Sequence, residues 1–222
     1  MQVLLGDTPL FCGMNEAEIT KLKSCLGAYT KRYEKEQTIF RCGERIRAMG
    51  LVLCGSVLVR SSDPWGNSSI LGQNGAGQVF GEAYACLMGE PLLVDVVACE
   101  KSEILFLDVN RIFTPCADAC ACHGRLAANL AHIFARKNLG LSQRILHTTP
   151  KTIRGRLISY FSEQAAKNGT SRFEIPFDRQ QLADYLSVDR SALSNELSKM
   201  QREGLLTYRR NAFVLNRTQQ GG

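Results

Sequence analysis

The chain has 222 residues, with 27 Lys and Arg against 21 Asp and Glu for a formal net charge of +6, enough for one large or two small domains with a proper core. No stretch reaches the length of a transmembrane span, and the opening MQVLLGDTPLF lacks a basic region followed by a long apolar run, so a soluble, cytoplasmic protein with no membrane partner is expected. The nine cysteines are odd in number and mostly scattered, which argues against a disulfide framework and for small buried hydrophobes.

NEAEITKLKSCLG is compatible with a short helix, and from about Thr30 strand-like runs take over. YTKRYEKEQTIFRCGE, MGLVLCGSVLVRSS, SSILGQN, GQVFGE, LVDVVACEKS and EILFLDV are short and rich in β-branched residues. Gly, Pro, Asn, Asp or Ser separate them, and such spacing predicts a small β-barrel or sandwich. DPWGN, Asp63 to Asn67, is a hairpin connection with Trp65 at its tip. Phe80 to Ala98 is the segment most like a pocket wall. There Gly81 permits close backbone approach, Glu82 follows at once, and AYACLM can form one helical turn whose amides point at an anion. Glu82 is equally well read as a capping residue.

From about Asn110 to Thr148 the chain reads as a long connecting helix. Leu126, Leu130, Ile133, Phe134, Leu141 and Ile145 form its apolar stripe, with Arg125, Asn129, Arg136, Lys137 and Arg144 off it. A helix of about 30 residues spans some 45 Å and has more apolar stripe than a barrel of this size can cover, so pairing with the same helix of a second subunit is expected. Near its start CADACACHG gathers Cys116, Cys120, Cys122 and His123. Three thiols and an imidazole suffice as a zinc shell, but the spacing is neither CxxC nor a finger pattern, and one regular helix does not converge all four groups. His132 and His147 read as surface or interface residues.

The C-terminal part carries most of the charge, with 12 basic against 7 acidic residues from Thr148 onward and 15 against 14 before it. Within it FDRQQLADYLSVDRSALSNELSKMQREGLL reads as two short amphipathic helices joined by a tight turn. Asp178 caps the first, which carries Leu182, Ala183 and Leu186 on one face. Asp189 caps the second, where Leu193, Leu197 and Met200 leave Arg190, Ser191, Ser194 and Asn195 on the opposite face. A guanidinium, two hydroxyls and a carboxamide match major-groove base edges, arginine suiting guanine and asparagine adenine. Beyond Gly204, LLTY and AFVLN are two strands around a basic tip, Arg209 and Arg210, suited to phosphate.

With these modules in order, the chain resembles the Crp/Fnr family of bacterial transcription regulators. The resemblance runs through PLFCGMNEAEITKL, LVLCGSVLVR, FGEAYACLMGE and the helical pair, nearly the whole length. It implies an α+β protein in three parts. These are a cyclic-nucleotide-binding-like β-barrel of jelly-roll type over 1–109, a dimerisation helix over 110–147, and a winged helix-turn-helix over 148–222. It implies no catalysis, a homodimer on a double-stranded DNA operator, RNA polymerase as a further partner, and a small-molecule effector in the barrel. Cyclic-nucleotide binders of the family follow the Gly-Glu pair with Arg-Ser or Arg-Thr to grip the phosphate. Leu92 and Leu93 stand at those positions here, which removes the charge-assisted contact and argues against cyclic AMP. The oxygen-sensing branch carries an N-terminal cysteine cluster, where this chain has only Cys12 and Cys25. Two rivals stand beside this reading. One is a metal- or redox-sensing DNA-binding regulator using Cys116, Cys120, Cys122 and His123. The other is a small-molecule-binding module acting on a protein partner.

Overall fold

The computed structural model describes residues 3–62, 68–114 and 121–216. The chain divides into two compact units, Met1–Ala135 and Arg136–Gly222, with the boundary inside one helix.

The first unit opens on a short 3-10 turn and helix α1 (Glu16–Cys25). Asn15 caps α1, accepting from the Glu18 amide while the Glu18 carboxylate accepts from the Asn15 amide, both at 2.9 Å. Such a reciprocal box satisfies two amides that the helix leaves without partners. Eight strands follow: β1 (Tyr29–Tyr33), β2 (Thr38–Phe40), β3 (Ala48–Cys54), β4 (Ser56–Ser62), β5 (Ser68–Gly75), β6 (Val79–Phe80), β7 (Asp95–Ala98) and β8 (Ser102–Asp108). They form two four-stranded antiparallel sheets, ordered β1-β8-β3-β6 and β2-β7-β4-β5, the two-sheet arrangement of a jelly roll. The hairpin connection at Asp63–Asn67 lies outside the described residues.

Within the first sheet β3 and β8 are buried on both faces, which is why they are near-continuous apolar runs, whereas β1 is exposed up to Tyr33. Val52, Ile104 and Phe106 join Val57, Val96 and Ala98 between the sheets. Met49, Leu51, Leu105 and Leu107 face the other way, into a core completed by Leu10, Phe11, Leu22 and Leu26. Gly50 in β3 lies under the Phe80 ring, so close that a Cβ there would collide with it.

After α3 (Asn110–Phe113), helix α4 runs from Ala121 to Thr148. The expected continuous helix from about residue 110 is thus a short separate turn and a later, longer helix. Leu126, Leu130 and Ile133 are buried in the first unit's own core, so the barrel unit covers the front half of the stripe without a second subunit. Leu141 and Ile145 are each 63% exposed, and Leu139 and Leu146 are exposed beside them.

The second unit holds the end of α4, α5 (Ile153–Asn168), β9 (Arg172–Glu174), α6 (Arg179–Leu186), α7 (Arg190–Arg202), β10 (Leu206–Arg209) and β11 (Ala212–Leu215). The three strands form an antiparallel sheet in the order β10-β11-β9. The core joins Leu157 and Phe161 of α5 to Leu182 and Leu186 of α6, Leu193, Leu197 and Met200 of α7, and Phe173 and Phe213 of the sheet. Against expectation His147 is buried, at 3% exposure, because Tyr160 and Tyr185 enclose its ring. His132 is exposed.

Candidate nucleic-acid interface

The helical pair is built by its caps. Asp178 accepts from the Gln181 amide at 2.8 Å while the Gln181 side chain accepts from the Asp178 amide at 2.9 Å, a full capping box at the start of α6. Asp189 accepts from the Ala192 amide at 2.8 Å and starts α7. Between them Ser187 ends α6 in the left-handed region, at φ 54°, a conformation that side chains adopt at a cost and that turns the chain sharply. Arg156 holds that turn from α5, donating through Nη1 to the carbonyls of Leu186 and Ser187 at 2.8 and 2.9 Å. Arg144 of α4 donates to the carbonyls of Tyr185 and Asp184 at 3.2 and 3.1 Å. The carbonyls that a helix leaves open at its C-terminus are therefore met by two guanidinium groups.

Leu193, Leu197 and Met200 face inward from α7. Arg190, Ser191 and Asn195 are exposed on the other side, while Ser194 is half-buried and its hydroxyl donates to the Arg190 carbonyl at 2.9 Å. Arg154 of α5 ties α7 down, with Nε 2.6 Å from Glu196 and Nη1 2.7 Å from Glu203. Its hydrogen bond, more than its charge, holds the Glu203 carboxyl below the usual carboxylate range.

β10 and β11 pair from Leu206 with Leu215 to Arg209 with Ala212, leaving Arg210 and Asn211 as the tip, with Arg209 and Arg210 exposed. The tip is fastened to α6 by Arg179. Its guanidinium lies 4.8 Å from the Tyr208 ring centre and 5.3 Å from that of Phe213, and its Nη2 donates to the Arg210 carbonyl at 3.0 Å. One open hollow is bordered by Asp178, Arg179, Gln180, Arg190, Arg210 and Asn211, so the first polar residue of α7 and the basic tip face the same space. Sequence spacing assigned Arg144, Arg154, Arg156 and Arg179 no role in the reader, because the α6, α7 and tip groups that they bond lie roughly 30 to 50 residues away.

In the first unit Gly81 begins the single helical turn α2 (Glu82–Cys86) at φ 73°. A Cβ on Gly81 would stand 3.0 Å from Ile46 and 3.1 Å from Phe40. Glu82 is buried at 5% exposure, and burial, followed by the Glu82 carboxylate, pushes the Cys86 thiol up from its ordinary value. Leu92 is buried in the core while Leu93 is exposed. The backbone of Leu92 is pinned, its amide donating to the Glu44 carbonyl at 2.8 Å and its carbonyl accepting from the Gly43 amide at 2.7 Å. Nearby, Arg45, Ile46, Arg47, Met88, Gly89 and Asn110 border a cleft of about 510 Å³.

Of the cysteine-rich group, Cys116 and Cys120 lie outside the described residues, Cys122 is half-buried and His123 is buried in the first turn of α4. Among the described residues no group of three or more His, Cys, Asp or Glu is arranged to hold a metal ion. No described helix is long and apolar enough to cross a membrane.

Residues 30–117 match the cyclic nucleotide-binding domain family and residues 155–219 the Crp-like helix-turn-helix domain family. The CRP-like protein Clp of Xanthomonas campestris pv. campestris is 24% identical over 202 residues, covering 85% of this chain and 84% of that protein. The solved structure of the c-di-GMP responsive global regulator CLP from Xanthomonas campestris superposes with a TM-score of 0.62 at 18% identity, over 92% of this chain and all of that one. A CooA variant from Carboxydothermus hydrogenoformans superposes at 0.61 with 17% identity, over 91% and 92%. The fold is shared with both. With the barrel domain and the reader matched in the order the chain carries them, and a relative aligned across both, the chain belongs to the Crp/Fnr family of DNA-binding transcription regulators.

Proposed function

We propose that this chain acts as a cytoplasmic homodimer that reads a two-fold DNA operator with α7. Arg190, Ser191 and Asn195 meet base edges, Ser194 supports them from the backbone side, and Arg209 and Arg210 hold phosphate. The observation that carries the reading is the polar face of α7, with Arg190, Ser191 and Asn195 exposed and Arg190 bordering the same hollow as Arg210. Arginine is the commonest side chain to pair with guanine, through two parallel donors, and that geometry discriminates between bases. Its promoter complex brings RNA polymerase in as a partner.

The effector binds in the first unit, around Gly81, Glu82 and the loop to Leu93. Cyclic AMP held by an arginine fork is not that effector, since Leu92 is buried in the core and Leu93 offers no charge. Because its relative in Xanthomonas campestris is described as c-di-GMP responsive, cyclic di-GMP is the first ligand to titrate, with cyclic AMP alongside it.

The base-reading role is tested by gel-shift titration of Arg190→Ala on a duplex selected by the wild-type chain from a random pool and on unselected DNA. A loss of about 1 to 3 kcal/mol confined to the selected duplex is expected. Equal losses on both would sink the assignment.

A further inference from the structure

Three helices of the second unit meet at one imidazole. His147, in the last turn of α4, has Nε2 2.7 Å from a carboxylate oxygen of Glu163 on α5 and Nδ1 2.8 Å from the hydroxyl of Tyr185 on α6. The ring stands edge-on to Tyr160, centres 5.3 Å apart. A carboxylate only accepts, so Nε2 carries a proton. In the neutral imidazole Nδ1 is then an acceptor, and the Tyr185 hydroxyl donates to it. With His147 neutral, both ring nitrogens are matched.

Arg144, one turn earlier on α4, grips the same tyrosine. Besides its bonds to the carbonyls of Asp184 and Tyr185, its guanidinium lies 5.7 Å from the Tyr185 ring centre. Tyr185 precedes the last residue of α6, and Ser187 then turns the chain toward α7. The attachment of α6 to α4 therefore sits two residues before the turn that sets the reading helix.

Protonation inverts the bond at Nδ1. That atom becomes a donor, the Tyr185 hydroxyl must accept, and the hydroxyl proton loses its acceptor in a site closed by aromatic rings. The groups around the imidazole push in both directions. Burial disfavours the charged form most, Glu163 favours it, and Lys167 disfavours it from 2.8 Å beyond the other Glu163 oxygen. Arg144 adds a second positive charge on the Tyr185 side. The net result holds His147 below the ordinary histidine value, while burial raises Tyr160 and Tyr185 above theirs.

We propose that His147 is a positioning residue for operator binding: neutral, it latches α6 to the end of α4 through Tyr185, and protonated, it releases α6 and weakens the grip on DNA. The proposal rests on the DNA-binding reading above. A group favoured in its neutral form by the folded state contributes fully above its unfolded value, about 6.5, and its contribution is lost as pH falls through the lower folded value.

The test uses the full chain and a duplex that it selects from a random pool, titrated from about pH 8 to about pH 5.5. The wild type is expected to bind roughly five- to tenfold more weakly at the acid end, and His147→Gln to show no such fall. Tyr185→Phe removes the bond that favours the neutral ring and moves the midpoint up. Glu163→Gln removes the carboxylate that favours the charged ring and moves it down. The His147 ring resonance, followed by NMR, is expected to titrate with the same order of midpoints. A histidine that only fills space would leave the midpoints unmoved. An equal acid response in wild type and His147→Gln, or unshifted midpoints in the other two variants, overturns the latch. If His147→Gln does not fold, those two variants decide. A pool that yields no bound duplex at about pH 8 overturns the DNA-binding reading instead, and the NMR midpoints then judge the latch alone.

Discussion

Arg190 and Arg210 border the same hollow but are placed for different work. Arg190 opens α7, the position that the proposed reading assigns to a base edge in the groove. Arg210 sits at a hairpin tip in the left-handed region, at φ 54°, where a side chain reaches a backbone that looks alike in every sequence. Arg210→Ala is therefore expected to weaken selected and unselected DNA together and to reduce the salt slope of binding by about one ion. Filter-binding titrations over a series of salt concentrations check this, and an unchanged slope would remove Arg210 from the phosphate contacts. The placement of both residues was legible in the sequence because it follows from neighbours within a turn or two. Asp189 three residues before Ala192 makes a cap, and Leu193, Leu197 and Met200 on one side dictate what faces outward. Arg179 was not legible, since nothing near it in sequence announces Tyr208, Phe213 or the Arg210 carbonyl, the three groups that it touches.

The elements of the reader are fixed locally at their starts and remotely at their ends. Asp178 and Asp189 begin α6 and α7 from within the same few residues, whereas the C-terminus of α6 is closed by Arg144 and Arg156 from other helices. Arg156→Ala removes two charge-assisted bonds to the carbonyls of Leu186 and Ser187, and one from Nε to the Pro150 carbonyl at 2.9 Å. A loss of about 1 to 3 kcal/mol is expected, read as a lower urea midpoint with an unchanged slope. This division explains what sequence reading reached. The caps and the two-helix pattern were visible, as were the β-branched runs of the barrel. Helix α5 and strand β9 were not singled out. β9 is a three-residue strand whose identity comes from pairing with β11, and α5 matters through arginines whose partners lie far along the chain. His147 was misjudged for the same reason, because only α5 and α6 together make its position an interior one.

At the scale of the whole molecule, α4 belongs to both units, and its apolar stripe divides with them. Leu126, Leu130 and Ile133 are covered by the barrel unit, while Leu141 and Ile145, one turn apart, are both exposed. Length alone indicated more apolar stripe than the barrel can cover, and the burial pattern puts the uncovered part in the later half, where Leu139 and Leu146 are exposed as well. Replacing Leu141 and Ile145 together by lysine puts four charges into a two-fold contact. Each apolar side chain lost from such a contact is worth about 1.5 to 3 kcal/mol. Sedimentation equilibrium is expected to find monomer at concentrations where the wild type is dimeric, with operator affinity falling at least about tenfold. A doubly substituted chain that stays dimeric would move the interface elsewhere.

Ser187 carries a side chain where the backbone prefers none, and two hydrogen bonds from Arg156 keep it there. An elbow maintained from outside, between helices capped from within, has a preferred order of opening. When α5 fluctuates away, the Leu186 and Ser187 carbonyls lose the Arg156 donor, while the caps at the starts of α6 and α7 keep their bonds. Local opening of the reader is therefore expected to begin at this joint, with the locally capped helix starts the last to lose their bonds.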